Sequence, residues 1–374
     1  MILINSLNCD GLQGYKKPAA SLIQLFDKSP LGHWDAENIA KSQKIVREVQ
    51  ESGKHIFVCA AGGSGAPTEV FRELFPRKES DHSFTTLLSS VTEDRLNFLY
   101  SLDRDVLQNS HWLFISKSGQ TAESLFYAQV LQNLSSRKKV SLEGKVTCLT
   151  CNPSSLLVKR LGVGGDRIFQ LNDSLPGRFS FFTLGGLVQT GLLGINSFDL
   201  QKGFENSNNS LAVDILSHFM LQYHERREKC FFSYSHPRFR NLSLWWERSW
   251  SESLFKEGAV LPIPSLNSHS SSEMCHAYLE ELFSDKGWMW DLSLQSTASQ
   301  EIKAWNQRQT EAFRYMAEKE GCPLLSLTLE DLTVCEVGNL MSIFFKVLHG
   351  LGEWLKVALY SQPFVDQYKK GCLL

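Results

Sequence analysis

A chain of 374 residues, 43% hydrophobic and 21% charged, is long enough for two cores of ordinary domain size and too apolar for wholesale disorder. Thirty-eight basic residues against forty acidic ones leave a formal net charge of -2, which excludes a globally basic surface for nucleic acid. Nine cysteines, odd in number and set in apolar runs such as Phe57-Val58-Cys59-Ala60, exclude a disulfide framework and point to reduced thiols in a cytoplasmic protein.

In chain order, Met1 to Asn8 lacks the basic start and apolar stretch of a signal peptide, and residues 1–40 read as an N-terminal extension. Short apolar runs then alternate with segments of helical period, the pattern of a parallel sheet covered by helices on both faces. Strands are expected near Ile56-Ala61, Trp112-Ser116, Val146-Cys151 and Arg167-Leu171, with a helix at Glu123-Leu134 ending in the solvated cluster Arg137-Lys138-Lys139. Cys148 and Cys151 form a CxxC pair, but no second pair completes a zinc site and Asn152-Pro153 stands where a redox helix should begin. Phe179 to Phe198 is uncharged over a membrane length, yet its Gln189, Asn196, hydroxyl residues and glycines favour a buried helix over a lipid-facing span.

The polar stretch Gln201-Asn209 marks a boundary, dividing the chain into domains at 41–200 and 210–340. In the second, strands are expected at Cys230-Tyr234, Ala259-Pro262, Trp288-Leu292 and Leu324-Leu327. A long amphipathic helix from Val337 to Tyr360 opens the C-terminal segment 341–374.

Two strand-to-helix junctions carry chemistry, because backbone N–H groups are free there and the helix dipole favours anions. Phe114-Ile115-Ser116-Lys117-Ser118-Gly119-Gln120-Thr121 runs from an apolar strand into hydroxyl residues, and Ser116, Ser118 and Thr121 surround the helix start as a phosphate would require. The plainer alternative is that Ser118 or Thr121 only caps the helix. The second junction, Gly62-Gly63-Ser64-Gly65, permits close backbone approach, and its spacing matches neither a P-loop nor a dinucleotide fingerprint. His269, Glu273 and His276 share one face if helical, but Ser270-Ser271-Ser272 makes that helix doubtful, and no metal site or cofactor is expected.

Together these junctions resemble the phosphosugar-binding SIS domain, and the chain from about Ile56 to Lys369 resembles the phosphoglucose isomerase family. Pro176-Gly177-Arg178-Phe179-Ser180 is similar to that family's Gly-Gly-Arg-Phe-Ser, with proline for the first glycine. Glu252-Ser253-Leu254-Phe255-Lys256 is similar to its Glu-Ser-x-Gly-Lys, with Phe255 for the glycine. Gln362-Pro363-Phe364-Val365-Asp366-Gln367-Tyr368-Lys369 is similar to Gln-Pro-Gly-Val-Glu-x-Tyr-Lys. The resemblance implies an α/β fold of two flavodoxin-like αβα SIS domains with mainly parallel sheets. It also implies a homodimeric, cofactor-free isomerase of glycolysis and gluconeogenesis acting on glucose 6-phosphate and fructose 6-phosphate through an enediolate. Catalysis then falls to Glu252 as base, to Arg178 facing the developing negative charge, and to His269 of the partner subunit or Lys369 for ring opening. Substrate binding falls to Gly63, Ser64, Ser116, Lys117, Ser118, Thr121, Gly177 and Gln362. His276 competes with His269. Arg248 stands where the family often has glutamine, and it either pairs with Glu252, contacts the phosphate or turns to solvent. Two alternatives remain: an isomerase that also takes mannose 6-phosphate, and a non-catalytic sugar-phosphate sensor.

Overall fold

The computed structural model describes residues 2–7, 9–31, 36–76, 84–172, 174–227, 229–234, 236–254, 263–268, 287–295 and 300–361. The chain forms two compact units, one from Met1–His33 with Phe198–Ser361 and one containing Trp34–Ser197. It opens with strand β1 (Ile2–Leu7) and helix α1 (Gln13–Leu25) of the former unit.

The Trp34–Ser197 unit follows as α2 (Ala36–Ser52), β2 (His55–Cys59), α3 (Ala66–Leu74), β3 (Phe84–Leu88), α4 (Glu93–Ser101), α5 (Arg104–Gln108), β4 (Ser110–Ile115), α6 (Ala122–Lys138), β5 (Val146–Thr150), α7 (Leu156–Leu161), β6 (Ile168–Gln170) and α8 (Leu184–Leu192). Its five strands are parallel in the order β3-β2-β4-β5-β6. Alternation along each strand divides the core. Ile56, Val58, Leu113 and Ile115 face Ile45 and Val49 of α2 and Val188 of α8, whereas Phe57, Cys59, Trp112 and Phe114 face Leu125, Tyr127 and Leu131 of α6. Helices therefore cover both faces. The basic cluster lies where expected, in the last turn of α6 and at Lys139, whose left-handed φ of 56° ends the helix.

The other unit continues with α9 (Ser197–Glu205), α10 (Asn209–His224), β7 (Lys229–Tyr234), α11 (Arg240–Leu254), β8 (Ile263–Ser268), β9 (Gly287–Leu294), α12 (Gln300–Lys319), β10 (Leu324–Leu329) and α13 (Val334–Leu355). Its order is β1-β10-β9-β7-β8, with β1 antiparallel to β10 and the rest parallel. Numbered within its unit, the first sheet runs 2-1-3-4-5, the flavodoxin-like order, and the four parallel strands of the second, β1 set aside, run 2-1-3-4. The core here is aromatic. Trp246 packs 4.3 Å from Phe344 and 5.6 Å from Trp290, and Phe219 packs 4.5 Å from Trp250 and 4.9 Å from Trp288, ring centre to ring centre.

Three expectations change. The N-terminal residues are no separate extension, since β1 completes the second sheet edge by pairing Ile2–Leu7 with Leu324–Leu329. The polar stretch before Asn209 is ordered structure: α9 occupies most of it, and the Asn208 side chain accepts from Leu211 N to start α10. Helix α13 is buried almost continuously from Val337 to Gly352 rather than amphipathic, because Lys346 finds Ser207 Oγ and Asn209 Oδ1, both at 2.5 Å, inside the fold. A strand runs at Ile263–Ser268, and the expected range Ala259–Pro262 lies outside the described residues.

Candidate active site

In a sheet of this order, chains leaving the first and third strands diverge and leave a crevice outside their carboxyl ends. In the Trp34–Ser197 unit those strands are β2 and β4, adjacent and in register with Cys59 beside Phe114. The Gly62-Gly63-Ser64 turn follows one and Ser116–Thr121 follows the other. Topology thus brings together the two junctions that stand out in the sequence.

The loop after β4 is tightly built. Ser116 Oγ lies 2.9 Å from Thr121 Oγ1 and accepts from Gly119 N at 3.2 Å, while Ser118 Oγ accepts from Gln120 N at 3.2 Å. Thr121 is the N-cap of α6, yet its hydroxyl makes no capping bond, so capping alone does not explain it. The 17-residue helix behind it directs its N-terminal N–H groups and positive dipole end at this loop. The Lys117 carbonyl accepts from Cys151 N at 2.9 Å and from Thr150 Oγ1 at 3.2 Å, which ties the loop to the end of β5. Gly119 is buried at φ 61°, and a Cβ there would run into the Ser155 side chain. Ser118 is exposed, Lys117 and Thr121 half-buried and Ser116 buried.

The glycine turn touches a segment more than a hundred residues away. A Cβ on Gly63 would sit 2.5 Å from Arg178 N and 2.9 Å from Arg178 Cα, so only glycine lets the two backbones pass. Ser180 Oγ donates to Gly63 O at 3.4 Å. Gly177 thus lies beside Ser64, and Arg178, only 1% exposed, carries its guanidinium 4.9 Å from the Phe179 ring centre.

Sequence reasoning missed what holds the turn in place. Gln189 of α8 is buried and donates to Ser64 O at 2.8 Å and to Gly185 O at 3.0 Å, while accepting from Thr68 Oγ1 at 2.8 Å. In the sequence it counts only against a lipid-facing span; a lone amide in an apolar helix is the signal that it serves buried backbone.

Glu252 lies half-buried in the last turn of α11 in the other unit. Arg248, one turn earlier, is exposed, and its charge acts on Glu247, whose pKa burial raises and Arg248 lowers. Phe255, Lys256, His269, Glu273, His276, Gln362 and Lys369 lie outside the described residues. Cys148 is a free, buried thiol whose pKa burial pushes up to about 12, so it stays protonated and unreactive at neutral pH. Among the described residues no group of three His, Cys, Asp or Glu is arranged to hold a metal.

Two doubly wound αβα units, one presenting a hydroxyl loop and a glycine turn at its switch point, make up a fold of the SIS type. The fold matches a hypothetical protein from Thermus thermophilus with a TM-score of 0.78 and 17% identity, covering 99% of this chain and 98% of that one. A glucose-6-phosphate isomerase from Chlamydia trachomatis matches with a TM-score of 0.69 and 13% identity, covering 95% and 77%. No profile of a known protein family matches the chain. In sequence, a glucose-6-phosphate isomerase from Fusobacterium nucleatum is 22% identical over 382 residues, covering 91% of this chain and 83% of that protein. A glucose-6-phosphate isomerase from Methanocaldococcus jannaschii is 21% identical over 382 residues, covering 94% of this chain and 91% of that protein.

Proposed function

We propose that the chain is a sugar-phosphate isomerase that interconverts glucose 6-phosphate and fructose 6-phosphate through an enediolate, as a cytoplasmic homodimer. The observation that carries this reading is the convergence at one switch point of the Ser116–Thr121 loop, the Gly62–Ser64 turn and the backbone of Gly177-Arg178. Ser116, Lys117, Ser118 and Thr121 hold the phosphate with hydroxyls, N–H groups and the end of the α6 dipole. Gly63, Ser64, Gly177 and Gln362 line the sugar. That remote binding energy fixes the reacting carbons. Glu252 carries the proton between C2 and C1, Arg178 supplies a fixed positive charge where the enediolate oxygen becomes negative, and His269 of the partner subunit or Lys369 serves ring opening.

Replacing a positioned base costs about 10²–10⁴-fold in rate. Glu252→Gln keeps the size and hydrogen bonding but accepts no proton, so exchange of the substrate's C2 proton with solvent should fall by that factor while the phosphorylated sugar still binds. Exchange at the wild-type rate in the variant would remove Glu252 as the base. Binding of glucose 6-phosphate by wild type with no exchange of its C2 proton would favour the sensor over the isomerase.

A further inference from the structure

We propose that the Met1–His33 with Phe198–Ser361 unit carries a second binding site, for a small hydroxylated anion, in a cavity of about 500 Å³ lined by β1, β9, β10 and α12. The volume is that of a small-metabolite pocket. Ser293 and Thr328 stand at the carboxyl ends of the parallel pair β9 and β10, the end at which such sheets bind ligands.

Arg314 supplies the charge. Its Nη2 donates to Ser326 Oγ at 3.3 Å, but its Nε, shielded from solvent, has no partner among the described residues. A guanidinium carries five N–H donors in a planar fork that matches an oxyanion, and a shielded donor without a partner is costly. A carboxylate or phosphate in the cavity would satisfy it. Beside the apolar Leu3, Ile4 and Leu294, the lining offers partners for a polyol: Asn5 and Gln307 bring amides, and Ser293 Oγ and Thr328 Oγ1, 2.8 Å apart on neighbouring strands, bring hydroxyls. Glu311, the carboxylate among these lining residues, is exposed to solvent screening and accepts from Gln307 at 2.8 Å. An oxyanion on a hydroxylated carbon chain, whether a sugar phosphate or a sugar acid, is the shared chemistry.

Equilibrium dialysis of the full chain with labelled gluconate 6-phosphate, which bears both groups, tests the site. Two molecules should bind per chain. Ser116→Ala with Thr121→Ala should remove one, and Arg314→Gln the other. Gln307 is exposed, so its replacement spares the fold. Gln307→Glu should weaken the Arg314-dependent binding about tenfold and Gln307→Lys should strengthen it, by repulsion and attraction of the anion. Displacement by gluconate but not by inorganic phosphate identifies a sugar-acid site, and the reverse a phosphate site. Loss of the Arg314-dependent molecule alone, with the loop variant binding like wild type, would uphold this site and count against the phosphate loop instead. A single molecule bound per wild-type chain, or a second one indifferent to Arg314→Gln and to both Gln307 replacements, would overturn the proposal.

Discussion

The two units share the order of their first four parallel strands and differ in what their sheets carry. In the Trp34–Ser197 unit the segments after β2 and β4 are glycine and hydroxyl residues packed backbone against backbone, as Gly63 is against Arg178. In its counterpart the mass lies in the core, where Trp246, Trp250, Trp288 and Trp290 gather around Phe219 and Phe344. Topology offers a crevice in both, and the hydroxyl loop and glycine turn set one of them apart.

That contrast fails if damage to the aromatic core reaches the loop. Trp246 is fully buried, so Trp246→Ala should cost about 3–5 kcal/mol in chemical denaturation. At temperatures where the variant is still folded, its Michaelis constant for fructose 6-phosphate should stay at the wild-type value. A Michaelis constant that rises with the loss of stability would mean that the core shapes the loop.

Next in size is a pH effect that sets one buried histidine of each unit against the other. His111 of β4 contacts Ser52 Oγ through Nδ1 and Thr147 Oγ1 through Nε2 at 2.9 Å, whereas His218 of α10 meets Cys9 Sγ at 3.4 Å and leaves Nε2 without a partner among the described residues. Burial lowers both from 6.5 to about 4. The unfolded chain takes up these protons near pH 6.5 and the folded one refuses them until about pH 4, so stability is complete above pH 6.5 and is lost as pH falls through that window. Each loss is on the order of 3 kcal/mol. Denaturation midpoints should therefore fall as pH drops from neutral towards about 4, and His218→Asn should flatten the slope at less expense at neutral pH than His111→Asn, which severs two partners. Equal neutral-pH losses would erase the distinction.

A smaller effect tests the support beneath the glycine turn. Gln189→Leu leaves the Ser64 carbonyl and the Thr68 hydroxyl without their partner, which costs roughly 1–3 kcal/mol per stranded group. The loosened turn should raise the Michaelis constant more than it lowers turnover, with partial recovery in Gln189→Glu, which keeps the acceptor for Thr68. Stability loss with unchanged kinetics would make Gln189 a core residue only.

The legible parts of the fold were those with local causes. Strands buried on both faces, such as Phe57-Val58-Cys59 and Trp112-Leu113-Phe114, announce themselves as apolar runs, and the junctions after them as clusters of small residues. Strand β3 escaped because Thr85, Thr86 and Leu87 are only half-buried at a sheet edge, and β1 because its partner lies more than three hundred residues away. Helix α13 departs from the amphipathic pattern because its polar Ser342, Lys346 and His349 are all buried, which no local period shows. In the site, the hydroxyl loop was visible residue by residue. The approach of Gly177-Arg178 to Gly63 came only through resemblance, since no local pattern encodes a contact over that separation.

Whether the Ser116–Thr121 loop holds the phosphate is decided by the Ser116→Ala, Thr121→Ala double variant in a coupled assay with glucose 6-phosphate, fructose 6-phosphate and mannose 6-phosphate. A hydrogen bond to a charged group contributes about 1.5–3 kcal/mol, so the Michaelis constant for the preferred substrate should rise at least about tenfold. The melting temperature should stay close to that of wild type, because the two hydroxyls bond chiefly to each other and to the loop's own backbone. An unchanged Michaelis constant in a variant that melts with the wild type would take the loop out of the site.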